Sequence, residues 1–420
     1  MKKNISELVN KDLKAYSVYT LTSRGIPMLE DGLSNVQRII LKSVSENLQD
    51  TNTVIGNCIA NGYHHGDSLG SAISRLARTS DNSEPLLFGD GFHGNSVGEA
   101  SAPRYTKVKA SPVVNSFIKK YNHLNSDQSY LHLDLPIGLL TTINGIATGY
   151  RSFLLPRKLE DLKVYVIEGK KSKMNPHFKD FKGVMEKTEN GSWKISSVFN
   201  ESASELHVFD MSPIMTSYES VCKNLDAYLL KNKINMKIKN LSKSTLEMIF
   251  PLKSLNSIER TKFVKFIKQL LTVTVKEDLN FIYGDKLVSY DSIFDYLDDF
   301  KIIRNSTVLK NMEFELSLAN FELGYNESKI KYLESLMSRD LKTISREEIQ
   351  SIILEFKDVY RTRLKNIAAH QINKDELRQS KDLVKNFTSD IKKQNTSITD
   401  FIKHNKLILD PKQQLNISVC

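Results

Sequence analysis

Tyr105 stands in the run Ala102-Pro103-Arg104-Tyr105-Thr106-Lys107. A phenol attacking a phosphodiester exchanges one phosphate ester for another. The bond energy is retained, so such a break can be resealed without a second energy source. A free tyrosine has a pKa of ~10, so its phenolate is scarce at neutral pH. A site that used it would have to take up the phenol proton and stabilise charge on the phosphate and leaving oxygens. Arg104 suits that second task, because its planar fork can hold two phosphate oxygens at once. Adjacent side chains on a strand face opposite ways. The pair can therefore act together only in a bend, which Pro103 favours.

Further upstream, His64 and His65 precede Gly66-Asp67 and a helical pattern. A loop before a helix N-terminus is a good setting for a phosphate. Neutral His65 could accept the phenol proton, and its imidazolium could stabilise the transition state. The competing reading of the His pair is a metal site. Adjacent histidines rarely ligate one ion, and no carboxylate cluster at ligand spacing accompanies them, so no metal site is expected on this chain. Ile146, in Asn144-Gly145-Ile146-Ala147, reads from pattern alone first as a core residue. The alternative is a wedge between base pairs, with Gly145 letting it protrude.

These groups need a scaffold. The chain has 420 residues, 40% of them hydrophobic and 26% charged, which is room for two or three globular domains. Cys58, Cys222 and Cys420 form no CxxC pair, so a reducing, cytoplasmic setting is expected rather than a disulfide framework. Neither a signal peptide nor a membrane-spanning run is visible. The net charge is +10, and it is unevenly placed. Residues 1–150 hold 14 Lys and Arg against 13 Asp and Glu, whereas residues 223–276 hold 12 against 3. That segment, with Lys237, Lys239 and Lys243, reads either as solvated helix faces or as a surface for an acidic polymer.

Periodicity predicts a helix over 34–48, with Val36, Ile39, Ile40 and Val44 inward and Arg38 and Lys42 outward. A second helix is expected from Asp67, with Leu69, Ala72, Ile73 and Leu76 inward. A short strand is expected over 105–108 and a helix opened by Ser111-Pro112. Mixed strands and helices follow from about 155, with Trp193 in a strand. From Leu309 to Met337 apolar residues repeat in threes and fours over four heptads, a helix about 42 Å long. A returning seam runs through Leu377, Val384, Phe387 and Ile391. The simplest geometry is an antiparallel pair with a small globule between, in which Ile349, Ile352, Ile353 and Phe356 recur at helical spacing. An intermolecular parallel coil is the alternative.

The motifs together resemble the DNA-cleaving subunit of type IIA DNA topoisomerases. They are Ser23-Arg24-Gly25-Ile26-Pro27, Asp31-Gly32-Leu33 with Gln37-Arg38, Tyr63-His64-His65-Gly66-Asp67, Ala102-Pro103-Arg104-Tyr105, and Asn144-Gly145-Ile146-Ala147-Thr148-Gly149. The resemblance covers roughly 20–400. It is greater to the eukaryotic and phage branch, including the medium subunits of T-even-type phages, because Tyr-His-His-Gly lacks the intervening proline. Asn175-Pro176-His177-Phe178 resembles that branch's tower domain.

It implies a mixed, mainly α fold in five parts: an N-terminal arm (1–27), a winged-helix DNA-cleavage domain (28–154), an α/β tower (155–305), a coiled-coil arm with a globular dimer gate (306–400) and a tail (401–420). Tyr105 is then the nucleophile of a 5′-phosphotyrosine link, with Arg104, His65 and Arg24 around the scissile phosphate. Ile146 wedges into bent DNA, and Gln37, Arg38, Lys42, His64 and Ser68 contact it. Where the family carries lysine after Asp-Gly-Leu, this chain has Ser34. Neither the family's ATP-binding motifs nor its Mg2+-binding Glu and Asp-x-Asp set occurs in the sequence. ATP and Mg2+ are therefore expected on a separate large subunit, and this chain is expected to act as a homodimer on double-stranded DNA. The alternative from another class is a non-catalytic DNA-binding protein of the same fold.

Overall fold

The computed structural model describes residues 8–21, 25–63, 66–125, 129–214, 217–284, 286–339 and 344–405. They fall into two compact units, one up to Arg304 and one from Asn305.

In the first unit three helices build one face of an apolar core. Asn35–Ser43 is opened by Ser34, whose backbone N–H donates to the Gln37 side chain at 2.9 Å, one arm of a capping box. It ends at Ser43, short of the expected 48, because Val44 turns extended. Thr51–Ala60 turns Thr51, Val54 and Cys58 inward, and Gly66–Ala77 turns Leu69, Ile73 and Leu76 inward. Both follow the three-to-four spacing that puts one stripe of a helix on a core. Most of these apolar side chains are wholly inaccessible, and burying each stabilises by roughly 1.5–3 kcal/mol.

Against the helices lies a three-stranded antiparallel sheet. Lys107–Ala110 runs in its centre, between Gln49–Asp50 and Leu87–Asp90. The sequence places a strand from Tyr105. The structure instead makes Pro103–Tyr105 a 3-10 turn and starts the strand at Lys107, since Pro103 at the first position fixes a helical φ. Pro112–Lys120 follows, capped by Ser111, whose hydroxyl accepts from the Val114 N–H. A hairpin, Ile143–Ala147 with Tyr150–Leu154, comes next.

From Val184 to Val275 the chain builds two more antiparallel sheets. One has the order Lys239–Asn240, Glu247–Pro251, Glu205–Phe209, Val198–Glu201; the other Thr272–Val275, Trp193–Ser196, Val184–Lys187. Leu206 and Val208 with Met248 and Phe250 alternate onto one face. They meet Val221 and Leu225 of helix Tyr218–Lys231 and Phe263, Val264 and Ile267 of helix Ser257–Leu270. Buried Arg157 donates to Glu277 at 2.6 Å, and the same carboxylate accepts from the Trp193 indole at 3.2 Å.

The second unit takes most of helix Ile293–Met337 and the helices Arg346–Leu354, Asp358–Lys365 and Lys374–Asn405. Lys329 meets Glu376, Lys381 meets Glu334, and Asn305 donates to Asn405. Asn305, early in the first helix, meets Asn405 at the end of the last, while Lys329 and Glu334, late in the first, meet Glu376 and Lys381 near the start of the last, so the two long helices run antiparallel within one chain. Between them Ile352, Ile353, Tyr360 and Leu364 close a small core with Tyr325, Tyr332 and Leu336. Gly324 is required there, because a Cβ would sit 2.4 Å from the Tyr360 hydroxyl.

Candidate functional site

The 3-10 turn carries Arg104 and Tyr105 outward. Both are exposed, Tyr105 at 67%, and the Arg104 guanidinium lies 4.7 Å from the centre of the phenol ring. An aromatic side chain is ordinarily drawn inward. This one is held out because the backbone under it is fixed. Tyr105 N–H donates to the Ala102 carbonyl at 2.9 Å. The next residue, Thr106, is buried, and its carbonyl accepts from both the N–H and the hydroxyl of Thr51 at 3.0 Å. The two threonine hydroxyls are 2.8 Å apart. The turn is thus anchored to the first residue of helix Thr51–Ala60. Gly91, at φ +88°, passes so close to the Tyr105 carbonyl that a Cβ would come within 2.8 Å.

Other expected site residues fall variously. Arg24, His64 and His65 lie outside the described residues. Ile146 is 74% exposed near the tip of its hairpin, which overturns the core reading of its pattern. Gly145 has a different task from the one expected: it lets the Gly25 backbone pass, whose oxygen would lie 1.6 Å from a Cβ at 145. Lys42 and Ser68 are exposed.

Gln37 and Arg38 require correction as direct DNA contacts. Arg38 is 4% exposed, its Nε donates to Asp31 at 2.7 Å, and its Nη2 donates to Asp31 and to the Leu33 carbonyl. Gln37 is buried and donates to Thr141 at 3.0 Å. Asp31 accepts from the backbone N–H groups of Leu33 and Leu131 as well. Helical periodicity turned Arg38 to solvent; a loop carboxylate seven residues earlier draws it in. Ser34, which follows Asp31-Gly32-Leu33, caps the helix.

Next to this pair Glu30 is buried, and its Oε2 faces no donor among the described residues. Burial pushes its carboxyl up to about 8, and the neighbouring Asp31 charge adds to the effect, while a backbone hydrogen bond and Arg38 oppose it.

Lys237, Lys239 and Lys243 are exposed. Ile234, Met236 and Ile238 pack inward, so Lys237 and Lys239 occupy the outward positions of an alternating segment, and Lys243 lies in the bend that follows. A cleft of about 780 Å³ opens beside Pro103, lined among others by Arg75, Arg78, Ser71, Glu99 and Tyr218. Arg75 and Arg78 both reach Asp81. Sequence reasoning did not single out this cleft, because its walls come from segments far apart in the chain. Among the described residues no group of three or more His, Cys, Asp or Glu side chains gathers as a metal site. No helix among them is long and apolar enough to cross a membrane.

The sequence profile of the family described as the A-type subunit of DNA gyrase and topoisomerase IV matches residues 24–411. The chain belongs to this family. Among individual relatives, the DNA topoisomerase medium subunit of Enterobacteria phage T4 is 24% identical over 369 residues, 81% of this chain and 82% of that protein. DNA topoisomerase 2 of Plasmodium falciparum and of Arabidopsis thaliana are each 26% identical, over 82% and 80% of this chain. The chain spans only 28% and 25% of those longer proteins. The fold is that of the DNA-binding, cleavage and re-ligation domain of Plasmodium falciparum topoisomerase II. The TM-score is 0.77 at 18% identity, over 94% of this chain and 63% of the solved one.

Proposed function

We propose that this chain is the DNA-breaking and rejoining subunit of an ATP-dependent type II topoisomerase. The observation that carries the reading is Tyr105 itself. It is a phenol held out to solvent beside an arginine, on a turn tied down through Thr106, in a chain of this family. In this reading the Tyr105 oxygen attacks a backbone phosphorus. The P–O3′ bond breaks, a 5′-phosphotyrosine ester forms, the 3′-oxygen gains a proton and the phenol loses one. The reverse step reseals the strand. Arg104 pairs with the phosphate oxygens, and Arg24 and His65 complete the surroundings. Two such breaks, one per protomer, open a duplex for passage of another, which relaxes supercoils.

The three helices and small sheet over 28–154 serve as the winged-helix cleavage domain, 155–305 as the tower and 306–400 as the coiled-coil arm and gate. Ile146, solvent-facing near its hairpin tip, serves as the wedge. By the family resemblance, Mg2+ and ATP are assigned to a separate large subunit. The second reading is a DNA-binding protein that keeps the fold without the chemistry. Retention of both Arg104 and Tyr105 in an exposed turn favours the first.

Tyr105→Phe separates the two. It removes only the attacking oxygen, so covalent protein–DNA adduct trapped by detergent should vanish while duplex affinity stays within a few-fold. Adduct from the Phe protein would remove Tyr105 from the mechanism.

A further inference from the structure

The loop from Asp90 to Ala102 holds a buried histidine that none of the roles above uses. His93 is 6% exposed. Its Nε2 lies 3.2 Å from the Asp90 carbonyl oxygen and 3.2 Å from that of Lys107. Both partners only accept, so Nε2 carries the proton and is shared between them. Asp90 and Lys107 are opposite one another in the sheet, the pair of that ladder nearest the 3-10 turn. The ring therefore closes the end of the ladder where the Tyr105 segment enters it. It packs on Gly89, where a Cβ would lie 2.5 Å from the ring.

The loop bearing it is itself well tied. Ser101 N–H donates to the Phe92 carbonyl at 2.9 Å, and the Asn95 side-chain oxygen accepts from the N–H groups of Val97 and Gly98.

We infer that His93 is a positioning residue for the Tyr105 reaction, and this rests on the proposed reading of Tyr105 as nucleophile. Its N–H clips two strand ends, one of them two residues after the phenol. Thr51 holds Thr106 from the helix side, and His93 holds Lys107 from the loop side. With both in place the phenol leaves the backbone from a fixed point. In-line attack on phosphorus demands that: a displacement of about 1 Å can cost on the order of 100-fold in rate.

Cleavage and resealing pass through the same transition state. Loss of positioning must therefore slow both by one factor and leave the cleaved fraction at equilibrium unchanged. Loss of folding would lower that fraction instead.

The test uses the enzyme reconstituted from this chain and its ATPase and metal-bearing subunit, on a short end-labelled duplex. His93→Phe keeps a planar ring and removes the donor; His93→Gln keeps a donor. Adduct formation is followed by rapid detergent quench, resealing by a jump to high salt, and duplex affinity separately. The Phe variant should lose roughly 10- to 100-fold in both rates, with the cleaved fraction and affinity unchanged, and Gln should recover most of the loss. Tyr105→Phe is run in parallel: adduct from that protein refutes the nucleophile and the positioning role with it, whatever the His93 variants do. The positioning role is overturned if the Phe variant keeps both rates within two-fold, if its cleaved fraction falls with its folded fraction, or if Gln does no better than Phe.

Discussion

At the scale of single residues, the Asp31–Arg38 cluster is as informative as the turn that carries Arg104 and Tyr105. Asp31 takes four hydrogen-bond donations and thereby holds Arg38 and two loop segments. Glu30 beside it has one buried carboxylate oxygen with no donor among the described residues, and its raised carboxyl is a liability that depends on pH. A carboxyl whose folded pKa is above its unfolded value gives stability that is complete at low pH. That stability is lost as pH rises from the ordinary value of 4.5 to about 8. Glu30→Gln, which cannot ionise, should therefore gain on the natural protein by up to ~1.4 kcal/mol per pH unit across that window. Urea unfolding at pH 5 and pH 8 measures it. An equal difference at the two pH values would mean that Glu30 ionises freely in the folded chain.

At the scale of elements, the outward lysines of 237–243 form one short stretch whose other face is core. Changing Lys237, Lys239 and Lys243 to Glu should weaken binding to long duplexes and flatten its salt dependence, by about 0.9 of log–log slope for each phosphate no longer neutralised. A short duplex centred on the cut should be less affected. Equal effects on both lengths would return these lysines to ordinary solvated surface.

Much of this level was legible in the sequence. Leu69, Ile73 and Leu76 declare their helix by spacing alone, Ser111-Pro112 marks a helix start, and the seam from Leu309 marks a long helix. What was not legible depended on distant partners. Nothing local tells that Asp31 turns Arg38 inward or that Gly145 is needed by Gly25. Nor does a local pattern distinguish Ile146 in the core from Ile146 near the tip of a hairpin. The bend that Pro103 favours was legible, but not that it would take in Tyr105 and delay the strand to Lys107.

At the scale of the whole molecule, the proposed dimer needs an apolar surface. Ile352 and Ile353 do not supply it, because they are buried in the small core of the second unit, against which Ile349 and Phe356 pack half-buried. Leu354 and Val359, on its two short helices, are instead 56% and 61% exposed. Leu354→Glu with Val359→Glu should leave the fold intact and weaken self-association at least tenfold in sedimentation at low concentration, about 1.4 kcal/mol. An unchanged association constant would place the dimer interface elsewhere.

The two-residue strand Lys239–Asn240 also governs how folded chains behave toward one another in a crowded solution. It ends a four-stranded sheet, so its outer backbone groups face no neighbouring strand in that sheet. Such an edge is a template for another chain's strand unless it is short and charged. A lysine on so brief an edge disfavours pairing with another chain's strand. Lys239→Val, with the fold unchanged by circular dichroism, should raise light scattering on storage at high concentration; clear solutions after that change would mean the edge is already guarded by its length alone.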